Sequence, residues 1–233
     1  MGVHIALTAE SIAPQMLGPL LEEHEFESLF VPEHAHIYDR GRSLHPEGGP
    51  ASQNLARFFD PFGTLAAMAA LTSRVRLGTG VCLIMQHDPL VLAKVIAKLD
   101  VISNGRAIVG VGAGWNREEM LNHGTAPATR WQVMRERVLA LRALWTTDVA
   151  EYHGRYVDFD PVWQWSKPVQ RPHPPVLIGG EGPRVLKGAG LRGRTGAERR
   201  ARYRRPNRGT APACARLRAA RRVSGGDACA SQC

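Results

Sequence analysis

Apolar residues fall into two alternating rhythms along the first four-fifths of the chain. Five short apolar runs bounded by turn residues predict strands: Val3–Leu7, Ser28–Val31, Arg74–Thr79, Ala107–Gly112 and Pro174–Gly180. Helical spacing fills the gaps between them. Ala13–His24 carries Met16, Leu17, Leu20 and Leu21 on one stripe, and Thr129–Trp145 forms a longer one. Asp60–Ser73 and Asp88–Ser103 each open with Asp-Pro, a side-chain cap followed by a residue preset for the first helical turn. Gly105 supplies a left-handed stop after the second of these. Glu151–Phe159 reads as a hairpin around His153-Gly154. Strands alternating with helices, most of the strands apolar runs, predict an α/β fold with a parallel sheet. Doubly wound and (β/α) barrel architectures both satisfy this pattern. In either, ligands bind where strands finish. Polar residues and glycines gather there: "PEHAH", "GTGV", "GVGAGWNREE" and "GGEGP".

The formal net charge of +9 suggests a nucleic-acid partner until the chain is divided. From Lys187 onward there are thirteen basic and two acidic residues, whereas residues 1–186 hold seventeen basic and nineteen acidic ones. The body is therefore slightly acidic, and a basic-tailed nucleic-acid binder is the rival reading from another class. The tail offers only Tyr203 for stacking on bases, so no specific nucleic-acid partner is expected. Cys82 stands alone in the body and reads as packing at a strand end. Cys214, Cys229 and Cys233 have neither C-x-x-C spacing nor a nearby histidine, so no metal site or disulfide framework is expected. No apolar run is long enough to span a membrane and no secretory leader is evident, which reads as a cytoplasmic chain.

The blocks "SLFVPEHAHI", "SRVRLGTGVCLIMQHDPLVLAKVIAKLDVISNGRAIVGVGAGWNREEM", "LRALWT" and "KPVQRPHPPVLIGGEGPRVL" together resemble the luciferase-like flavin and deazaflavin oxidoreductases, most nearly the branch that uses coenzyme F-420. The resemblance covers residues 2–186. It implies a (β/α)8 barrel of TIM type with a flavin-type ring at the strand C-termini, and hydride transfer between that ring and a small-molecule substrate. FMN acting with oxygen is the alternative cofactor. It also implies that Glu33 and His34 face the ring edge and the substrate, with His34 moving the matching proton. Gly80 and Val81 would back the ring, through a peptide that the sequence leaves open between cis and trans. Gly112 and Gly114 would line the cofactor site. Gly179, Gly180, Glu181 and Gly182 resemble the family's phosphate cradle, with the Glu181 side chain turned away. His36 is a weaker polar candidate. Trp115 stands where relatives that oxidise sugar phosphates carry a carboxylate, which argues against that chemistry. Glu25 replaces a glycine that usually stops the first helix, so it must accept φ > 0 or change the turn. Relatives often pair, so a homodimer is expected.

Residues 187–233 break the pattern. Their large apolar or aromatic residues are Leu191, Tyr203, Leu217 and Val223, with no periodic stripe. Such a segment buries too little surface to offset its ordering entropy, which predicts disorder. Its Arg, Ala, Gly and Pro content is what GC-rich DNA gives out of frame. Leu191–Arg199 can be written in codons whose one-base shift yields a motif resembling the sixth strand of the family. The hypothesis of a frameshift near Lys187 is tested by resequencing the gene. On this reading five of eight barrel strands are present, with poor stability and weak or no activity expected.

Overall fold

The structure, a computed structural model, describes residues 1–180. Glu181, Gly182 and the Arg-rich segment lie outside the described residues, and so do the expectations placed on them.

Five parallel strands form one sheet in the order β1 (Gly2–His4), β2 (Ser28–Val31), β3 (Arg76–Thr79), β4 (Ala107–Val111) and β7 (Val176–Ile178). Between them lie helices α1 (Pro14–Glu23), α2 (Pro61–Ala69), α3 (Pro89–Ile102), α4 (Arg117–Asn122) and α5 (Arg130–Thr146), and an antiparallel hairpin of β5 (Val149–His153) and β6 (Asp158–Trp163). Single-turn 3₁₀ helices occupy Gln53–Arg57 and Ile84–Gln86.

The register separates the two faces of the sheet. Leu29 pairs with Leu77, which pairs with Ala107, while Val31 pairs with Thr79 and Val109 with Val176. All but Val176 in this set are buried, and the apolar ones lie in one core cluster with Leu17, Leu21, Leu65, Met68, Leu92 and Ile96 from α1, α2 and α3. The alternate set contains His4, Phe30, Ile108 and Leu177, none of them fully buried. A doubly wound sheet would bury both faces under helices. Helices on one face only, with strands in sequential order, are the barrel arrangement instead.

Local rules account for most element ends. Asp60 and Asp88 cap α2 and α3, accepting from the N–H groups of Gly63 and Val91. Helix α2 stops at Ala69, earlier than the expected Ser73, and the Arg106 guanidinium donates to the freed carbonyls of Ala69, Thr72 and Val75 at 2.8–3.0 Å. Asn104 and Gly105 both turn left-handed after α3, with φ of 52° and 78°. Glu25 accepts φ 56° after α1, a strain of about 1–3 kcal/mol for a residue with a Cβ. The first strand is shorter than Val3–Leu7 because its ladder ends at His4, although the Ile5 N–H still donates to Phe30 O at 3.0 Å.

Candidate active site at the strand C-termini

The segment after β2 runs Pro32-Glu33-His34, and two carboxylates fix it. Glu33 is 7% exposed. Its Oε2 accepts the Leu83 N–H at 2.6 Å, and its Oε1 lies 2.8 Å from His87 Nε2. Glu33 thereby ties the β2 loop to the segment leaving β3. Glu119, on α4, is 1% exposed and does the same for the next residues. Its Oε2 lies 2.8 Å from His34 Nδ1, and its Oε1 accepts the Ala35 N–H at 3.0 Å. Burial works against the Glu119 charge. The bonds from His34, Gln86 and Ala35 outweigh it and hold the carboxyl below the ordinary range. Its own backbone N–H is taken by the Asn116 side chain, the cap of α4.

His34 packs edge-on to Trp115 at 5.5 Å between ring centroids and tilted against Phe58 at 6.1 Å. Its Nε2 makes no hydrogen bond among the described residues. Trp115 meets His45 on another side at 5.2 Å. His36 lies farther round the same rim, with its Nε2 2.9 Å from Asn122 Nδ2 and its ring 5.4 Å from His123.

The Gly80–Val81 peptide is cis. Val81 is half-buried, and its side chain lies across the ends of β4 and β7. A Cβ on Gly112 would stand 2.5 Å from Val81 Cγ2, and one on Gly179 would stand 2.6 Å from Val81 Cγ1. These two glycines are therefore needed to seat Val81, whatever else they contact. Gly80 is closed in by the His4 ring and Phe30 Cβ at 2.8 and 2.9 Å from a notional Cβ, and His4 Nε2 is 2.5 Å from Gly80 O. Gly114 and Gly180 adopt φ of 65° and 131°, and Gly180 is exposed.

These placements redistribute the duties expected of the site. His34, Glu33, Gly80, Val81, Gly112 and Gly179 converge on one end of the sheet. The Glu33 oxygens, expected at a ring edge, are both occupied by partners within the protein. The pattern reading missed Glu119, His87 and helix α4. A signal existed for α4: Asn116 followed three residues later by Glu119 is a capping pattern.

Cys82 is fully buried in the core, and burial together with the nearby Glu33 carboxylate raises its thiol well above the usual range. Glu33, Cys82 and His87 bring one ligand atom each within 4.8 Å of one another. A metal would need the thiolate and would have to break the His87–Glu33 bond. Hydrogen bonding within the protein accounts for this cluster.

The model of the luciferase-like monooxygenase family matches residues 16–205. The chain belongs to that family. An uncharacterized protein of Mycobacterium tuberculosis is 46% identical over 184 residues, covering 78% of this chain and 65% of its own. An F420-dependent glucose-6-phosphate dehydrogenase of Amycolatopsis mediterranei is 32% identical over 197 residues, covering 80% of this chain and 54% of its own. Among solved structures, the coenzyme F420 dependent tetrahydromethanopterin reductase of Methanopyrus kandleri superposes with a TM-score of 0.61 at 25% identity, over 82% of this chain and 52% of that one. Flavin-dependent monooxygenases are also among the similar proteins. The chain thus spans roughly half to two thirds of the length of these family members. Its fold is α/β, of the family's barrel type and incomplete: five parallel strands among the described residues, against the eight of a closed barrel. No helix among the described residues is long and apolar enough to cross a membrane.

Proposed function

We propose that this chain is an oxidoreductase that moves a hydride between a deazaflavin, coenzyme F-420, and a small organic substrate. The observation that carries the reading is His34 held by Glu119 at the strand-end rim. The surroundings suit a planar ring. Gly80, Val81, Gly112 and Gly179 bring no charge to that end of the sheet, where His34 keeps one imidazole nitrogen with no partner among the described residues. Such a ring, when bound, supplies or takes up the hydride. His34 Nε2 then accepts the hydroxyl proton of an alcohol as its carbon gives up hydride, and returns that proton in the reverse direction. Buried Glu33 holds the rim in place through Leu83 and His87. Gly180 opens the segment that would carry a phosphate tail, which continues into Glu181 and Gly182.

Trp115 places an aromatic edge beside His34 and His45. This favours a substrate less polar than a sugar phosphate, even though the family includes glucose-6-phosphate dehydrogenases. FMN with oxygen is the second reading, supported by the flavin-dependent relatives.

The test is a fluorescence titration of the purified full chain with oxidised F-420 and, separately, with FMN. It is followed by a panel of small secondary alcohols, monitoring bleaching of the deazaflavin. Saturable F-420 binding and alcohol-dependent bleaching are expected. A cooperatively melting chain that binds neither cofactor would overturn the proposal, and binding of FMN alone would select the second reading.

A further inference from the structure

The contacts of Glu119 go beyond holding a loop. Its two oxygens meet groups on consecutive residues, the ring of His34 at 2.8 Å and the backbone N–H of Ala35 at 3.0 Å. An N–H on Ala35 can only donate, so the carboxylate must present a lone pair to it. The other oxygen, ionised, can only accept, so the proton on the neutral His34 ring is drawn to Nδ1. Nε2 is left as an acceptor.

We propose that Glu119 is a positioning residue for the reaction: it fixes the His34 tautomer, and with it the direction in which His34 can move a proton. The proposal rests on the oxidoreductase reading for its catalytic consequence, but the tautomer itself is a property of the protein alone.

Several features make the device specific. Glu119 is 1% exposed and its charge is met from several sides, by His34, by Ala35 and by the Gln86 side chain. The Asn116 cap fixes where α4 begins, and so where Glu119 stands. His34 is held in turn by Trp115 and Phe58, so its ring cannot turn over without disturbing two aromatic contacts. Glu33, the preceding residue, is occupied by Leu83 and His87 and does not compete for the ring.

Glutamine at 119 cannot reproduce the arrangement, because it has one acceptor oxygen and two sites that need one. If the oxygen serves Ala35, the amide NH₂ faces His34 Nδ1 and drives the proton to Nε2. The reverse placement, with the oxygen on His34, would set the NH₂ against the Ala35 N–H, donor against donor, so the first placement is favoured and the tautomer changes. Aspartate keeps both acceptors at a shorter reach, so it serves as the conservative variant.

The experiment is ¹⁵N NMR of the His34 ring in the full chain without cofactor, in wild type, Glu119→Gln and Glu119→Asp. Melting temperatures are measured on the same samples. The expected result is an Nδ1–H, Nε2-acceptor ring in wild type, lost in Glu119→Gln and at least partly kept in Glu119→Asp. With F-420 and the alcohol panel, kcat should fall roughly 100-fold in Glu119→Gln, the scale of losing a correctly poised acid–base group, while KM changes little. A wild-type ring protonated on Nε2 would overturn the proposal. So would a Glu119→Gln chain whose tautomer matches wild type. Failure of F-420 to bind would instead strike the proposed function and leave the tautomer result standing.

Discussion

Carboxylates tie the chain together in two regions of this molecule, and they choose different partners in each. Near the N-terminal ends of the strands, Glu22 accepts from the backbone N–H groups of Ser73, Arg74 and Val75, and Asp100 accepts from those of Val169 and Gln170. Under the hairpin, Glu136 takes the N–H groups of Arg155, Tyr156 and Val157. These are staples: one side chain satisfies two or three main-chain donors that the irregular chain leaves over. At the C-terminal ends the pattern changes. Glu33 and Glu119 each take one backbone N–H and one histidine. The same side-chain chemistry thus holds the chain at both ends of the sheet, and at the C-terminal end it holds titratable rings as well. Barrel enzymes divide their ends in this way, with stability below and chemistry above.

Variants at each end of the sheet should separate the two duties. The largest effect should come from His34→Gln, with turnover of F-420 against small alcohols falling by about 10²–10⁴-fold and little change in melting. Next in size is Leu77→Ala, in the fully buried core between β2 and β4, which should lose about 2–5 kcal/mol in a urea titration. Gly112→Ala should cost about 1–3 kcal/mol by crowding Val81, and adding Val81→Ala should recover part of it, a coupling that a double-mutant cycle reads directly. Smallest is Glu22→Gln, about 1 kcal/mol, with turnover kept.

Acid adds a sharper version of the last test. Burial opposes the Glu22 charge, but the N–H groups of Arg74, Val75 and Ser73 and the Arg74 charge lower its carboxyl below the ordinary range. A carboxylate depressed in the folded state contributes stability above its unfolded value and loses it as pH falls through the folded one. Urea midpoints of wild type should therefore drop as pH is lowered through and below the usual carboxylate range, and Glu22→Gln should drop less steeply.

Much of the frame was legible because local rules write it. The Asp-Pro pairs at 60–61 and 88–89 announce helix starts, and both aspartates do cap their helices. Continuous apolar runs announce buried parallel strands. The turn at Glu25 was legible only through the family resemblance, because relatives carry a helix-stopping glycine there. The site was legible only in outline. His34 and Glu119 are 85 residues apart, and Glu33 and His87 are 54 apart, so no periodicity joins them. Helix α4, with six residues, is too short to show a stripe. A glycine at a strand end reads the same whether it makes room for a ligand or for Val81, and only the packing at Gly112 and Gly179 reveals the second duty.

Amide hydrogen exchange of the full chain, with and without F-420, tests the division between the two ends most directly. Exchange should slow within residues 31–35, 79–83 and 111–116 and stay unchanged within 73–76 and 103–106. Protection that falls on the lower segments, or that spreads evenly over both ends, would contradict that division.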